Sequence, residues 1–185
     1  MQVYNPIYHR MDPEVIQIIE LKDGSNLVLN TDGLKQWLQP IKDKEVAIIP
    51  GVGPSQTGRS LLLNLLGHHL SGSQLDQLVK GFESRASLEP ITTGFWLSKP
   101  ILVRKDDGKE LAILLMDTQS VFDGNLSTDD SNRIFWMSLL LSSSLIINLG
   151  SNLSEDFLTK LKPFLEYIKP EGCADSLVSD SMKTY

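Results

Sequence analysis

The sequence predicts an α/β fold, a mainly parallel sheet flanked by helices and built around a phosphate-binding loop. Three observations carry this. Short, largely apolar runs recur at 46–50 (VAIIP), 111–116 (LAILLM) and 145–149 (LIINL), as in strands buried on both faces of a parallel sheet. Helical patterns separate the runs. A glycine-rich loop follows the first run directly. Interleaved helices and buried strands describe a doubly wound sheet, in which ligands bind at the carboxyl ends of the strands.

The elements follow in chain order. Residues 15–21 (VIQIIEL) read as a strand, Asp23-Gly24 as a turn and 26–29 (NLVL) as the returning strand of a hairpin. Thr31 or Asp32 is expected to cap a short helix through Trp37 and Leu38 that Pro40 ends. A charged connector, 42–45, leads into the first apolar run. Residues 60–70 (SLLLNLLGHHL) form a helix with a broad apolar face; 71–90 are polar and loop-like, apart from a helical turn near 75–79. Residues 101–104 and 111–116 flank Asp106-Asp107-Gly108 and read as antiparallel strands. A helix over 129–142 precedes the third apolar run. Another spans 154–168, with Ser154 as cap and Pro170 as stop, before a polar tail at 169–185.

The 185 residues are 41% hydrophobic and 22% charged, which fits one globular domain with a core. The net charge, 17 minus 23 or −6, argues against general nucleic-acid binding, which shows a basic face. Cys173 is the sole cysteine, so no disulfide framework exists and a reducing, cytoplasmic compartment is expected. The N-terminus lacks the basic and apolar regions of a signal peptide. The apolar stretch 134–149 falls short of the roughly 20 residues that span a bilayer; it reads as a helix running into a buried strand, and no membrane span is expected in this chain.

The loop Gly53-Pro54-Ser55-Gln56-Thr57-Gly58-Arg59-Ser60 fits G-x-x-x-x-G-K-[ST] at every fixed position but one, where Arg59 replaces lysine. Four residues between glycines let successive N–H groups wrap a phosphate while the next helix points its positive end at it. The serine hydroxyl, Ser60, is the Mg²⁺ ligand of the motif. A plain strand-to-helix turn would share the composition, but an apolar strand before and a helix after are what the motif requires. Arg59 keeps the charge of lysine on a planar, bulkier, forked head. The strand 114–116 ends in Asp117-Thr118-Gln119; alone such an Asp caps a turn, but paired with a phosphate loop it reads as the Mg²⁺-side aspartate.

Other candidates are weaker. His68 and His69 are adjacent on a helix, face different ways and form no metal pair. Trp37, Trp96 and Trp136 read as packing residues. Ser142-Ser143-Ser144 lack the context of a nucleophile. Asp129 and Asp130 suit the first turn of a helix.

The run LLMDTQSVFDGNLST is similar to the second-switch region of atlastins, LLMDTQG-x-FD. Lys44-Glu45-Val46, the hairpin VIQIIELKDGSNLVL, ITTGF, KDDGKELAILLMDTQ, FWMSLLLSSS, LIINL and SEDFLTKLKPFLEY follow the same family in one order over about 13–167. The chain thus resembles the N-terminal part of the G domain in the atlastin/guanylate-binding-protein group of dynamin-related large GTPases. The resemblance implies a P-loop G-domain fold over 1–168 with its C-terminal part missing. It also implies GTP or GDP with Mg²⁺, GTP hydrolysis, a homodimer through the G domain, and association with the endoplasmic reticulum.

The resemblance further implies that Gly53, Pro54, Ser55, Gln56, Thr57, Gly58, Arg59, Ser60, Leu61, Asp117, Gln119 and Ser120 contact nucleotide. Ser60, Thr92 and Asp117 would hold Mg²⁺, and Arg59 and Thr92 would serve catalysis; Thr92-Thr93-Gly94 resembles the first-switch threonine element. Three positions depart from the family. Arg59 stands for lysine, Gln56 for the loop arginine that stabilises the transition state, and Ser120 for the glycine closing D-x-x-G. The family's base-reading Arg-Asp element falls beyond the helix ending near Ile168, where this chain has CADSLVSDSMKTY. Three readings follow: a slow Mg²⁺-dependent GTPase, a degenerate G domain that binds nucleotide or partners without turnover, and a truncated product of low stability.

Overall fold

The computed structural model of the chain describes residues 14–22, 26–72, 81–83, 93–121, 126–149, 158–159 and 161–162. β1 (Val15–Lys22) and β2 (Asn26–Leu29) pair antiparallel, with Ile19 opposite Leu29 and Lys22 opposite Asn26. The Asp23-Gly24 turn expected between them lies outside the described residues. α1 (Thr31–Leu38) follows. Its cap is Asn30, not Thr31 or Asp32: the Asn30 side chain accepts the Gly33 N–H at 3.0 Å. Asparagine competes well for this position, and Asp32 is left in the first turn, where its charge suits the dipole. A 3-10 turn, Gln39–Ile41, carries Pro40 and ends the helix.

β3 (Glu45–Val52) pairs parallel with β6 (Glu110–Thr118), from Glu45 opposite Leu111 to Gly51 opposite Asp117. β7 (Ile146–Ile147) pairs parallel with the other edge of β3. The three apolar runs are therefore neighbours in the order β6-β3-β7. β7 is shorter than the run 145–149, but flanking groups prolong its grip. Ser143 N–H donates to Ile48 O at 2.8 Å, Ser143 Oγ accepts Ile48 N–H at 3.2 Å, and Asn148 N–H donates to Val52 O at 2.8 Å.

The remaining pairings are antiparallel, so the sheet is mixed. β4 (Phe95–Ser98) lies between β1 and β6, and β5 (Ile101–Arg104) pairs with β6 further along. The order is β2-β1-β4-β6-β3-β7, with β5 beside β6. β4 was not anticipated from the sequence. It continues into β5 along one edge of β6 as a single bent strand. From Leu97 to Ile101 the chain advances four residues while the partner moves three, from Met116 to Ile113. The extra residue is a bulge at Lys99-Pro100, where proline's missing N–H is tolerated. Ser98 Oγ accepts the Leu115 N–H that the bulge leaves over, at 2.9 Å.

Helices cover both faces. α2 (Arg59–Leu70) packs Leu63 and Leu66 with Ile113, Leu115 and Phe82 on one face. Asn64 secures Phe82 there through two bonds of 2.8 Å to its backbone N–H and C=O. On the other face α1 and α3 (Thr128–Leu141) bring Leu34, Trp37, Ile134 and Met137 onto Ile18, Phe95, Leu114 and Met116. Ser127 caps α3 by accepting the Asp130 N–H at 3.1 Å, and Asp129 and Asp130 occupy its first turn as expected. Trp37 also donates its indole N–H to Ser98 O at 2.9 Å. Each face thus has its own apolar cluster, and β6 contributes alternate residues to both.

Burial on both faces holds along β6, where 112–118 are all buried, but not along β3. Val46 is 44% exposed, and only Pro50, Gly51 and Val52 at the carboxyl end are buried. An apolar cavity of about 680 Å³ opens between α1, α3 and the sheet, bordered by Val46, Ile48, Leu38 and Met137, so this face is only partly covered. At the amino ends of β3 and β6 Lys105 bonds Glu45 at 2.6 Å and Lys44 bonds Glu110. Each lysine's hydrogen bond and charge hold its carboxyl partner below the ordinary carboxylate range. That stabilisation is present above the ordinary carboxylate pKa and is lost as pH falls through the lowered one.

The chain divides into two compact units, Met1–Gly150 and Ser151–Tyr185. In the second, 158–159 and 161–162 are helical, within the helix expected over 154–168; the rest of that helix and the tail lie outside the described residues, as does the turn expected near 75–79. No helix among the described residues is long and apolar enough to cross a membrane.

Candidate nucleotide site

The buried carboxyl end of β3 turns through residues 53–58 into α2. Two glycines make this turn. Gly53 has φ +150°, and a Cβ there would stand 2.1 Å from Asn148 O, the residue after β7. Gly58 has φ +79°, is the left-handed residue before α2, and a Cβ there would meet no protein atom within 4 Å. Between them Gln56 adopts φ 59°, the one non-glycine residue with positive φ among those described. Such a residue is uncommon and is held by its surroundings. Thr57 Oγ1 donates to Pro54 O at 3.0 Å, and Asn148 Nδ2 donates to Thr57 O at 3.0 Å, so the loop is tied to itself and to the β7 side. Gly53→Ala is expected to cost about 1–3 kcal/mol of stability, because a methyl group is forced onto backbone; the urea midpoint measures it.

The end of β6 lies against the start of α2. Thr118 Oγ1 donates to Gly51 O at 2.9 Å, and Val121 N–H donates to Gly53 O at 3.0 Å. Asp117 is 1% exposed. Its Oδ2 accepts the Ser60 hydroxyl at 2.6 Å, and its Oδ1 accepts Arg59 Nε–H at 2.8 Å. The sequence thus pairs the two residues expected to share a metal. Gln119 N–H donates to Gly94 O at 2.7 Å and its Oε1 accepts Gly94 N–H at 2.9 Å, which ties the segment after β6 to the start of β4. Ser120 is 3% exposed, and its Oγ has no hydrogen-bond partner among the described residues. Leu61 is 49% exposed on the first turn of α2. Thr92 lies outside the described residues.

Arg59 differs from what the motif suggests. A phosphate-loop lysine would extend toward the ligand; Arg59 instead folds inward and is 6% exposed. Its guanidinium donates to Asp117 through Nε, to Gly53 O through Nη1 at 3.0 Å, and to Thr118 O through Nη2. The forked head meets three acceptors where β3 and β6 end, each through a different nitrogen, a spread that a compact ammonium lacks. Mg²⁺ is held by one or two carboxylates together with phosphate oxygens and water, and bound directly to Asp117 it would compete with this guanidinium. The donor set as it stands therefore does not fit Mg²⁺. Among the described residues no group of three or more His, Cys, Asp or Glu side chains could hold a metal ion.

Strand, glycine loop, helix and an acidic second strand around one buried end of a mixed sheet define an α/β domain of the G-domain type. The model of the guanylate-binding protein N-terminal domain matches residues 24–183, and the chain belongs to the atlastin/guanylate-binding-protein family. It is 32% identical over 162 residues to Atlastin-1 of Macaca fascicularis, covering 82% of this chain and 29% of that protein. It is 33% identical over 172 residues to Atlastin of Drosophila melanogaster, covering 85% and 32%. To Atlastin-3 of Homo sapiens it is 31% identical over 169 residues, covering 84% and 31%. The chain thus spans about three-tenths of the length of these relatives.

Proposed function

We propose that this chain binds a guanine nucleotide with its phosphates in the loop 53–60 and hydrolyses GTP only slowly. The inward fold of Arg59 is the observation that carries the second half of this reading. The loop's backbone N–H groups and the N-terminus of α2 remain to receive phosphate. The charge that would follow the γ-phosphate through the transition state is instead committed to Asp117. Gln56, where the family has arginine, supplies no cation. A cis arginine of that kind is worth about 10³–10⁵ in rate. The Mg²⁺ expected at Ser60, Thr92 and Asp117 has to compete with Arg59 for Asp117. Preference for guanine over adenine rests on the family, as do a homodimer through the G domain, a cytoplasmic location and association with the endoplasmic reticulum. A second reading, a G domain that binds without turnover, is favoured by the same two residues.

The test is equilibrium titration of the chain with fluorescent GTP, GDP and ATP analogues. Guanine nucleotides are expected to bind, and Gly58→Val to weaken them at least about tenfold. The valine is strained at a left-handed position and puts bulk where backbone must approach phosphate. Unchanged affinity in that variant, with folding confirmed by circular dichroism, removes the loop from the site.

A further inference from the structure

We infer that Arg59 takes the place of the divalent cation on Asp117, so that this site holds nucleotide phosphates without Mg²⁺. The inference rests on the nucleotide reading above. In a phosphate loop the acidic residue after the second strand is a liability until something neutralises it, because a carboxylate and a phosphate repel at close range. Here the neutralising charge is covalently part of the chain. Arg59 and Asp117 side chains are 7% and 1% exposed and 2.8 Å apart, and their charges sum to zero. Ser60 occupies the other carboxylate oxygen at 2.6 Å.

The guanidinium is seated, not parked. Turning it outward would surrender the bonds to Asp117, Gly53 and Thr118 together, all of them in a buried place. A buried polar group left without its partner costs more than the bond itself contributes. A Mg²⁺ ion entering beside it would set a double and a single positive charge on one carboxylate. Mg²⁺ also demands near-octahedral oxygen geometry and gives up water reluctantly.

Ser120 is a second candidate donor. Its Oγ is buried and has no hydrogen-bond partner among the described residues, and the next residue, Val121, donates its N–H to Gly53 O in the loop. A hydroxyl donates as readily to a phosphate oxygen as to water. Its position, where the family closes D-x-x-G, would give the phosphates one more donor that needs no metal. The ligand class is a nucleoside di- or triphosphate taken as the free anion.

Titration with fluorescent GDP and GTP analogues in excess Mg²⁺ and in excess EDTA decides the matter. The two conditions are expected to give affinities within about threefold of each other, whereas Arg59→Lys should bind at least about tenfold more tightly with Mg²⁺ than without. The ammonium has all its donors on one nitrogen and lacks the spread of the fork, so its hold on Asp117 is expected to be weaker. Should Arg59→Lys fail to fold, the unmodified chain alone still decides. Binding that appears only with Mg²⁺, or strengthens tenfold with it, overturns the inference and leaves the nucleotide reading standing. Absence of binding in both conditions overturns both.

Discussion

Arg59→Ala is expected to destabilise the chain by about 3–5 kcal/mol, because it leaves a buried carboxylate without its cation. Asp117 is almost completely enclosed, and Arg59 is its charge partner. The loss extends past the pair, since Gly53 O and Thr118 O lose donors at the same time. Asp117→Asn strands the opposite charge and should cost a comparable amount. Arg59→Met with Asp117→Leu removes both charges and should recover most of the loss, as buried pairs replaced by apolar groups often do. Urea unfolding of the parent, Arg59→Met, Asp117→Leu and the double variant gives the coupling energy directly. A loss below about 1 kcal/mol for Arg59→Ala would make the pair equivalent to a surface ion pair and would contradict its burial.

Single-turnover hydrolysis of GTP is the second large effect. The parent chain is expected to be slow by a large part of the roughly 10³–10⁵-fold worth of a cis arginine, equivalent to about 4–7 kcal/mol in barrier. Gln56→Arg places a cation on the loop, and Arg59→Lys replaces the inward fork with a compact charge. Gln56 is at φ 59°, a backbone conformation as available to arginine as to glutamine, so the change adds no backbone strain. The double variant should gain more than the two single gains together, since both groups act on one phosphate. A parent rate typical of large GTPases sinks the degenerate-site reading. If all four forms bind nucleotide and none hydrolyses it, the limit lies outside the loop.

Much of the sheet was legible because its runs are apolar where two faces are covered and are bounded by glycine or acid. β6 is the clearest case: its apolar run and its burial agree from residue 112 to 116, and burial continues through Asp117 and Thr118. β4 was not legible for a physical reason. Phe95–Ser98 is four residues long and is followed at once by Lys99-Pro100, and proline argues against a strand unless a bulge accommodates it. Asn30 was passed over as a cap because Thr31 and Asp32 are equally good candidates by residue type, and only the dihedrals separate them. At the site the motif located the loop, Ser60 and Asp117. It could not show the direction of Arg59. That direction depends on Asp117 and Thr118, nearly 60 residues away in sequence, and on a carbonyl of the loop itself. The isolated Ser120 hydroxyl was likewise invisible, since a serine in a motif says nothing of its partners.

The bent strand β4–β5 bears on the order in which the molecule assembles. The β5–β6 hairpin closes locally, through Lys105 N–H to Lys109 O at 2.8 Å and Gly108 N–H to Lys105 O at 2.9 Å. Such a closure takes about 1–10 μs. Joining β3 to β6 instead brings Glu45 to Leu111, 111 minus 45 or 66 positions along the chain, and longer closures carry more entropy. The hairpin is therefore expected to precede the parallel pairing, an order that hydrogen-exchange labelling during refolding checks. Once it exists, the same strand that made it is carried past the bulge and presents its β4 half to β1, while the opposite edge of β6 waits for β3. The phosphate loop, at the end of β3, takes shape only when that late pairing reaches Gly51 and Asp117, so the site is among the last parts of the fold to form.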